Sequence, residues 1–360
     1  MYHAINQGGG NMDLVTPATN QYAIGVKEEG YFLLLEHMLK AGIVDEVLLV
    51  IESTRGIGVI EYGPNFHGIV LPDIDQFDSH LRPDDVIWCR GGHRSNFAFL
   101  NRVKKLGHWT MLYAANSGRQ RWNFWDIILD DLSGIEKAHI DIHERVWIPW
   151  TKPVNTNLFK PIKMERTYDL CIGASHIHDK KGQWRTIEAL VEYKKLFKKN
   201  PKCILPGAIR RGVKTNQIKA LIALHELDVE FPQRHIPRPE LNTIYNQSKI
   251  FIHLGTSGQN DRVPLEAMRC GCSLIIGSPL YHSPNVLQAP YSMVPNDINN
   301  PKEIAGLIDM NPEPKKWICD WYNKCQSMEN VILPDMAKLF NIFKNHPKMN
   351  KEALRNEYQI

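Results

Sequence analysis

The segment Lys249–Pro279, KIFIHLGTSGQNDRVPLEAMRCGCSLIIGSP, constrains this chain more than any other. It reads as a buried strand, a glycine-bearing loop, a short helix opening near Pro264 and a second buried strand. A lone acid, Glu266, sits one turn into that helix. Amides at a helix start lack intrahelical acceptors and carry partial positive charge, which suits a phosphate. A carboxylate just behind them can take the hydroxyls of a ribose. This is the layout expected for a nucleotide-sugar site in a doubly wound α/β domain. An ordinary strand–loop–helix of such a sheet is the alternative.

The rest of the chain keeps the same rhythm. Strands are predicted over Val47–Glu52, Gly68–Leu71, Asp85–Cys89, Trp109–Ala114 and Trp125–Leu129, with helices over Glu29–Ala41 and Phe97–Leu106. Phe99, Leu100, Val103 and Leu106 share one face of the second helix. A proline-bearing stretch without helical period, VWIPWTKPVNTNLFKP, is a candidate boundary. Beyond it come strands at Tyr168–Gly173, Lys202–Pro206, Val229–Phe231 and Ile250–Leu254, alternating with helices at Gln183–Lys198, Thr215–Leu227 and Pro239–Ser248. The tail, Pro314–His346, is helical and aromatic. Strands alternating with helices imply parallel sheets covered on both faces.

Composition narrows the class. A chain of 360 residues favours two domains, and 43% hydrophobic with 23% charged residues describes a globular protein rather than a disordered one. No apolar run approaches the ~18 residues of a membrane span. The start, MYHAINQGGGNM, lacks the pattern of a signal peptide, so a cytoplasmic location is expected, with peripheral membrane contact left open. A net charge of +4 admits anionic ligands without demanding nucleic acid. Seven scattered cysteines, an odd number, read as reduced structural thiols.

Three segments, taken together over residues 145–280, resemble a family-4 (group 1) retaining glycosyltransferase of the GT-B architecture. They are RVWIPWTKPVNTNLFKP, IGASHIHDKKGQWRTIEAL and LNTIYNQSKIFIHLGTSGQNDRVPLEAMRCGCSLIIGSP. The resemblance implies an α/β fold of two Rossmann-like doubly wound domains facing a central cleft. An acceptor-binding domain would span 1–150 and a nucleotide-sugar-binding domain 151–335, with 336–360 returning to the first. It also implies transfer of a sugar from a UDP- or GDP-sugar to a hydroxyl of a glycan or glycolipid, with no cofactor beyond the donor and no metal. A hydroxylated DNA base is the alternative acceptor. An inactive nucleotide-sugar-binding or scaffold protein is the alternative of another class. The oligomeric state is not legible.

Carried onto this sequence residue by residue, the resemblance puts Glu266 on the donor ribose and Lys181 on the diphosphate. The family's glutamate that contacts the transferred sugar is replaced by Gly258, leaving Gln259, Asn260 and Asp261 as polar neighbours. Backbone amides from Asn260 to Val263 would still face the diphosphate. The family's phosphate-binding arginine falls on Ser175 or His176, so Arg262 becomes the candidate second cation. The loop PQRHIPRP, with Arg234 and His235, matches the one that reads the nucleobase.

In the first half Asn116 or Ser117 stands where the family often has a histidine, and His93 is the nearest histidine candidate. Gly9 and Gly10 would let backbone approach a ligand closely. Arg119, Arg121 and Trp122, within SGRQRWNFW, form a candidate acceptor platform, with a strand of core aromatics as the alternative. His139 and His143 have metal-ligand spacing for a helix, but their β-like context argues against zinc.

Overall fold

Runs that are apolar at successive positions, such as VLLVIE and KIFIHL, can bury both faces only as central strands. The computed structural model describes residues 2–6, 27–52, 58–71, 85–90, 102, 105–113, 125–130, 146–149, 152–173, 176–209, 213–255, 262–277, 292–310, 316–325 and 327–345. The chain forms two compact units, residues 1–153 with 331–360 and residues 154–330.

In the first unit the elements are β1 (Tyr2–Asn6), α1 (Gly30–Lys40), β2 (Val47–Glu52), β3 (Gly58–Gly63), β4 (Phe66–Leu71), β5 (Val86–Arg90), β6 (Trp109–Tyr113), β7 (Ile127–Asp130) and β8 (Val146–Pro149). The sheet order is β3-β4-β2-β1-β5-β6-β7-β8. All pairs are parallel except the β3–β4 hairpin. β1 lies at the centre, with Tyr2 opposite both Val47 and Val86. Trp125 precedes β7 and is fully buried, so it belongs to the core rather than to a surface platform. The buried Asp126 carboxylate accepts from the Thr110 amide at 3.0 Å and hydroxyl at 2.8 Å. Leu106 departs from the predicted helix face: it lies in a turn and is 65% exposed.

In the second unit follow β9 (Tyr168–Ile172), β10 (His176–Ile177), α2 (Gln183–Phe197), β11 (Cys203–Ile204), β12 (Ala208–Ile209), α3 (Val213–Leu224), β13 (Val229–Glu230), α4 (Arg238–Asn246), β14 (Ser248–His253), α5 (Arg262–Arg269), β15 (Ser273–Ile276), β16 (Ser292–Met293), α6 (Pro301–Asp309) and α7 (Lys316–Cys325). The main sheet, β13-β11-β9-β14-β15-β16, is parallel throughout, and β10 pairs with β12 separately. Phe251, Leu274 and Ile276 pack on one face with Tyr245, Leu265, Met268 and Tyr322. Ile250, Ile252 and Ile275 pack on the other with Ile187, Leu190 and Ile304. The chain then leaves a π-helical turn, Met328–Ile332, and ends its described part in α8 (Leu333–Asn345), so the predicted tail helix is broken. Phe343 of α8 meets Trp109 of β6 at 5.0 Å between ring centroids, within the first unit. Among the described residues no helix is long and apolar enough to cross a membrane.

Arg166 ties the amino-terminal edge of the second sheet. Its guanidinium donates to the carbonyls of Tyr245 (3.3 Å), Ser248 and Cys270 (2.9 Å). These carbonyls lie at the end of α4, at the start of β14 and just past α5, where helix dipoles end negative. The described cysteines, Cys171, Cys203, Cys270, Cys272 and Cys319, are buried and unbridged, and burial pushes their thiols up.

Two predictions arise from these contacts. Arg166→Ala leaves three carbonyls short of a charged donor and should lower the unfolding free energy by about 2–4 kcal/mol in urea titrations. Arg166→Lys should recover only part of that, since an ammonium lacks the fork. Burial, aided by Glu230 and Asp309 respectively, pushes the Tyr168 and Tyr193 hydroxyls up from 10.0 to about 12. The folded state therefore holds these protons more tightly than the unfolded one. The associated stability is complete below pH 10.0 and is lost as pH rises towards about 12. Urea midpoints measured across that window should fall less steeply for Tyr168→Phe.

Candidate functional site

The strand order of the second unit reverses between β9 and β14, which makes their carboxyl ends a topological switch point. Ligands of open parallel sheets bind in that position because the amino termini of the returning helices converge there. Gly173 follows β9 directly. A Cβ at Gly173 would stand 1.8 Å from the Phe251 ring, so that ring fills the space beside the end of β9 and leaves room only for glycine. His253, the last residue of β14, is 3% exposed, and its Nδ1 lies 3.1 Å from the Gly173 carbonyl oxygen. A carbonyl only accepts, so Nδ1 carries the hydrogen.

Lys181 lies in the short 3₁₀ turn Asp179–Lys181, its amide donating to the His178 carbonyl at 2.9 Å. Gly182 then caps α2 in the left-handed region, φ 74°. A Cβ there would sit 2.0 Å from the Leu254 carbonyl oxygen, so the turn carrying Lys181 is pressed onto the end of β14. The first turn of α2 has no acidic residue. Trp184 donates from its indole nitrogen to the Asp179 carbonyl at 3.1 Å.

From Gly255 the chain leads through residues 256–261 to α5. That helix opens at Arg262, earlier than predicted, with Pro264 inside its first turn rather than at its start. Glu266 consequently falls in the second turn and is 7% exposed. Burial and then the nearby Glu266 carboxylate hold the Tyr245 hydroxyl protonated; Tyr322 is raised chiefly by burial, with Glu266 a lesser contributor. The partly buried Val263 side chain packs against the core.

In the loop before α4, Arg234 is exposed and forms a two-pronged ion pair with Glu240, one arm at 2.9 Å. Its guanidinium also donates to the His235 carbonyl at 3.3 Å. Ile236, 3% exposed, anchors this loop in the core.

The candidates therefore divide. Lys181, Arg262, Val263, Glu266, Arg234 and His235 are placed by the structure, and His176 is placed by its backbone in β10. Gly9, Gly10, His93, Asn116, Ser117, Arg119, Arg121, Trp122, His139, His143, Ser175, Gly258, Gln259, Asn260 and Asp261 lie outside the described residues. Sequence reasoning passed over His253 and Arg185. For His253 the available signal was a histidine inside the apolar run KIFIHL. Arg185 has the character of an ordinary polar position on an amphipathic helix, and nothing in its neighbours singles it out.

Residues 155–310 match the family described as glycosyl transferases group 1. No curated protein matches the sequence significantly. Among solved structures, the chain is similar to a sucrose-phosphate synthase from Thermosynechococcus elongatus, with a TM-score of 0.65 and 14% identity over 96% of this chain and 99% of that one. It is similar to a UDP-forming α,α-trehalose-phosphate synthase from Burkholderia vietnamiensis at TM-score 0.66 and 11% identity, covering 96% and 99%. It is also similar to the HepE protein of Anabaena in complex with UDP at TM-score 0.60 and 12% identity, covering 99% and 98%. The fold of this chain is the GT-B fold of these neighbours.

The close approach at Gly182 is directly testable. Gly182→Ala introduces both a left-handed non-glycine residue and a clash with the Leu254 carbonyl, so it should cost about 2–4 kcal/mol in thermal or urea unfolding. Gly306→Ala, in α6 with open space around it, should stabilise by about 0.5–1 kcal/mol in the same assay.

Proposed function

We propose that this chain, whose residues 155–310 match the family described as glycosyl transferases group 1, moves a sugar from a UDP- or GDP-sugar to a hydroxyl of a glycan or glycolipid, with retention and without a metal. The observation that carries the proposal is the Lys181–Gly182 turn pressed onto the end of β14 at the switch point. In this reading the start of α2 and the Lys181 charge attend the diphosphate, since a helix start and an ammonium both favour an anion. Glu266, one loop further on, takes the ribose hydroxyls in this reading.

The chemistry needs little else from this unit. The bond from the sugar's anomeric carbon to the diphosphate oxygen breaks, and a bond from that carbon to the acceptor oxygen forms. The acceptor proton leaves with the diphosphate. Negative charge grows on the leaving diphosphate, so fixed positive charge there stabilises the transition state more than the ground state. Lys181, Arg262 and the starts of α2 and α5 supply it. His93 or Asn116 of the first unit is proposed to attend the anomeric carbon, with Gly9, Gly10, Arg119, Arg121 and Trp122 towards the acceptor. Gln259, Asn260 and Asp261 replace the sugar-contacting acid absent at Gly258. UDP is favoured over GDP because one neighbour is named UDP-forming and another is a complex with UDP.

The test is calorimetric binding and donor hydrolysis with a panel of UDP- and GDP-sugars. At least one donor should bind and turn over slowly without acceptor; failure of every donor in both assays would sink the proposal. Binding without any turnover would instead identify a non-catalytic nucleotide-sugar binder. Glu266→Ala should weaken the bound nucleotide by about tenfold or more, the worth of a charged hydrogen-bond pair. Unchanged affinity would mean that the nucleotide lies elsewhere.

A further inference from the structure

We infer that Arg185 is a positioning residue of the donor site: it fastens the first turn of α2, the carboxyl end of β14 and the loop before α6 into one unit on which donor affinity depends. The inference rests on the nucleotide-sugar reading above and extends it to a residue outside the ligand's expected contacts. The Arg185 Nε donates to Asn299 Oδ1 at 2.9 Å, and Nη1 donates to the Leu254 carbonyl at 3.4 Å. The guanidinium lies over the Trp184 ring, 4.4 Å from its centroid. Trp184 is itself held by the Asp179 carbonyl, at the start of the 3₁₀ turn that carries Lys181. An unbroken set of contacts therefore runs from the Lys181 turn through Trp184 and Arg185 to the end of β14.

The far anchor is also held. The Asn299 amide donates to Asp297 Oδ1 at 2.8 Å, and the neighbouring Asn300 caps α6 by accepting from the Lys302 and Glu303 amides. Leu254 is the carbonyl against which Gly182 is pressed, so Arg185 grips the same strand end that sets the α2 start. One residue further, Gly255 opens onto the segment leading to α5 and Glu266.

A lysine could supply the charge but not the planar stack on Trp184 with two separately aimed donors.

The experiment is calorimetry of the full chain with UDP and GDP as probes, with melting temperatures recorded alongside. Arg185→Gln should raise the UDP dissociation constant by about tenfold or more, the effect of losing charge-assisted bonds. Arg185→Lys should fail to restore wild-type affinity. Asn299→Ala should weaken UDP by about threefold, and the Arg185→Gln/Asn299→Ala double variant should bind no worse than Arg185→Gln alone, because the two act through one contact. With an accepted donor, KM should rise more than kcat falls. UDP affinity within about twofold of wild type for Arg185→Gln, whatever its melting temperature, overturns the inference. If that variant does not fold, unchanged affinity of Asn299→Ala overturns it. A wild-type chain that binds neither nucleotide takes down the underlying functional reading instead.

Discussion

The second unit is organised around the meeting of Gly182 with the Leu254 carbonyl. A side chain at position 182 would overlap that oxygen, so the α2 start can touch the end of β14 only because the residue there is glycine. One strand over, the Phe251 ring occupies the space beside Gly173, again leaving room only for glycine. These two close approaches bring helix amides and strand carboxyl ends into one small region. Parallel topology does the remainder: every returning helix begins at this edge, and the dipoles add there. Packing alone thus gathers helix starts at this edge, before any charged side chain is considered.

The opposite edge shows the complementary solution. Helix ends leave carbonyls without intrahelical donors, and at the amino-terminal edge of the sheet these are gathered by a single cation. Arg166 takes the carbonyls of Tyr245, Ser248 and Cys270, and so fixes α4, β14 and α5 relative to one another. Asn242 and Asn246 extend the tie to the chain entering the unit, accepting from the Lys160 and Ile162 amides at 3.2 and 2.8 Å. With α5 held at its carboxyl end, the position of its first turns, and with them Arg262 and Glu266, is set by the fold rather than by a ligand.

Strands with continuous apolar runs were legible to within a residue or two, as at Val47–Glu52 and Tyr168–Ile172, because burial on both faces leaves no other placement. The helix Gln183–Phe197 was legible for the same kind of reason, its apolar stripe facing the sheet. Short or polar elements were not. β1 is a five-residue strand of mixed character whose place at the centre comes entirely from its partners β2 and β5. The β3–β4 hairpin turns at Pro64 and Asn65, where Asn65 rather than a glycine adopts the left-handed φ of 58°. Periodicity placed Leu106 on a buried face, but the residue is 65% exposed. At the site, Lys181 and Glu266 carried sequence signals, whereas Arg185 did not: its role depends on Asn299, which lies far away along the chain and near in space.

On the proposed reading, the two halves of donor recognition rest on different materials. Nucleotide and diphosphate binding draws on backbone amides, two close glycine contacts and cations held by neighbouring carbonyls, so it tolerates the absence of an arginine at Ser175 or His176. Arg262, at the start of α5, supplies positive charge at another chain position, and a diphosphate responds to summed charge more than to the chain position that supplies it. Sugar recognition is less forgiving. It needs directed hydrogen bonds to particular hydroxyls, and a glycine at position 258 offers none from a side chain. Whatever distinguishes one sugar from another must therefore come from Gln259, Asn260 and Asp261 or from the first unit. Changes there should alter which donor is used while leaving nucleotide affinity nearly intact, whereas changes at Gly182, Arg185 or Glu266 should weaken all donors alike.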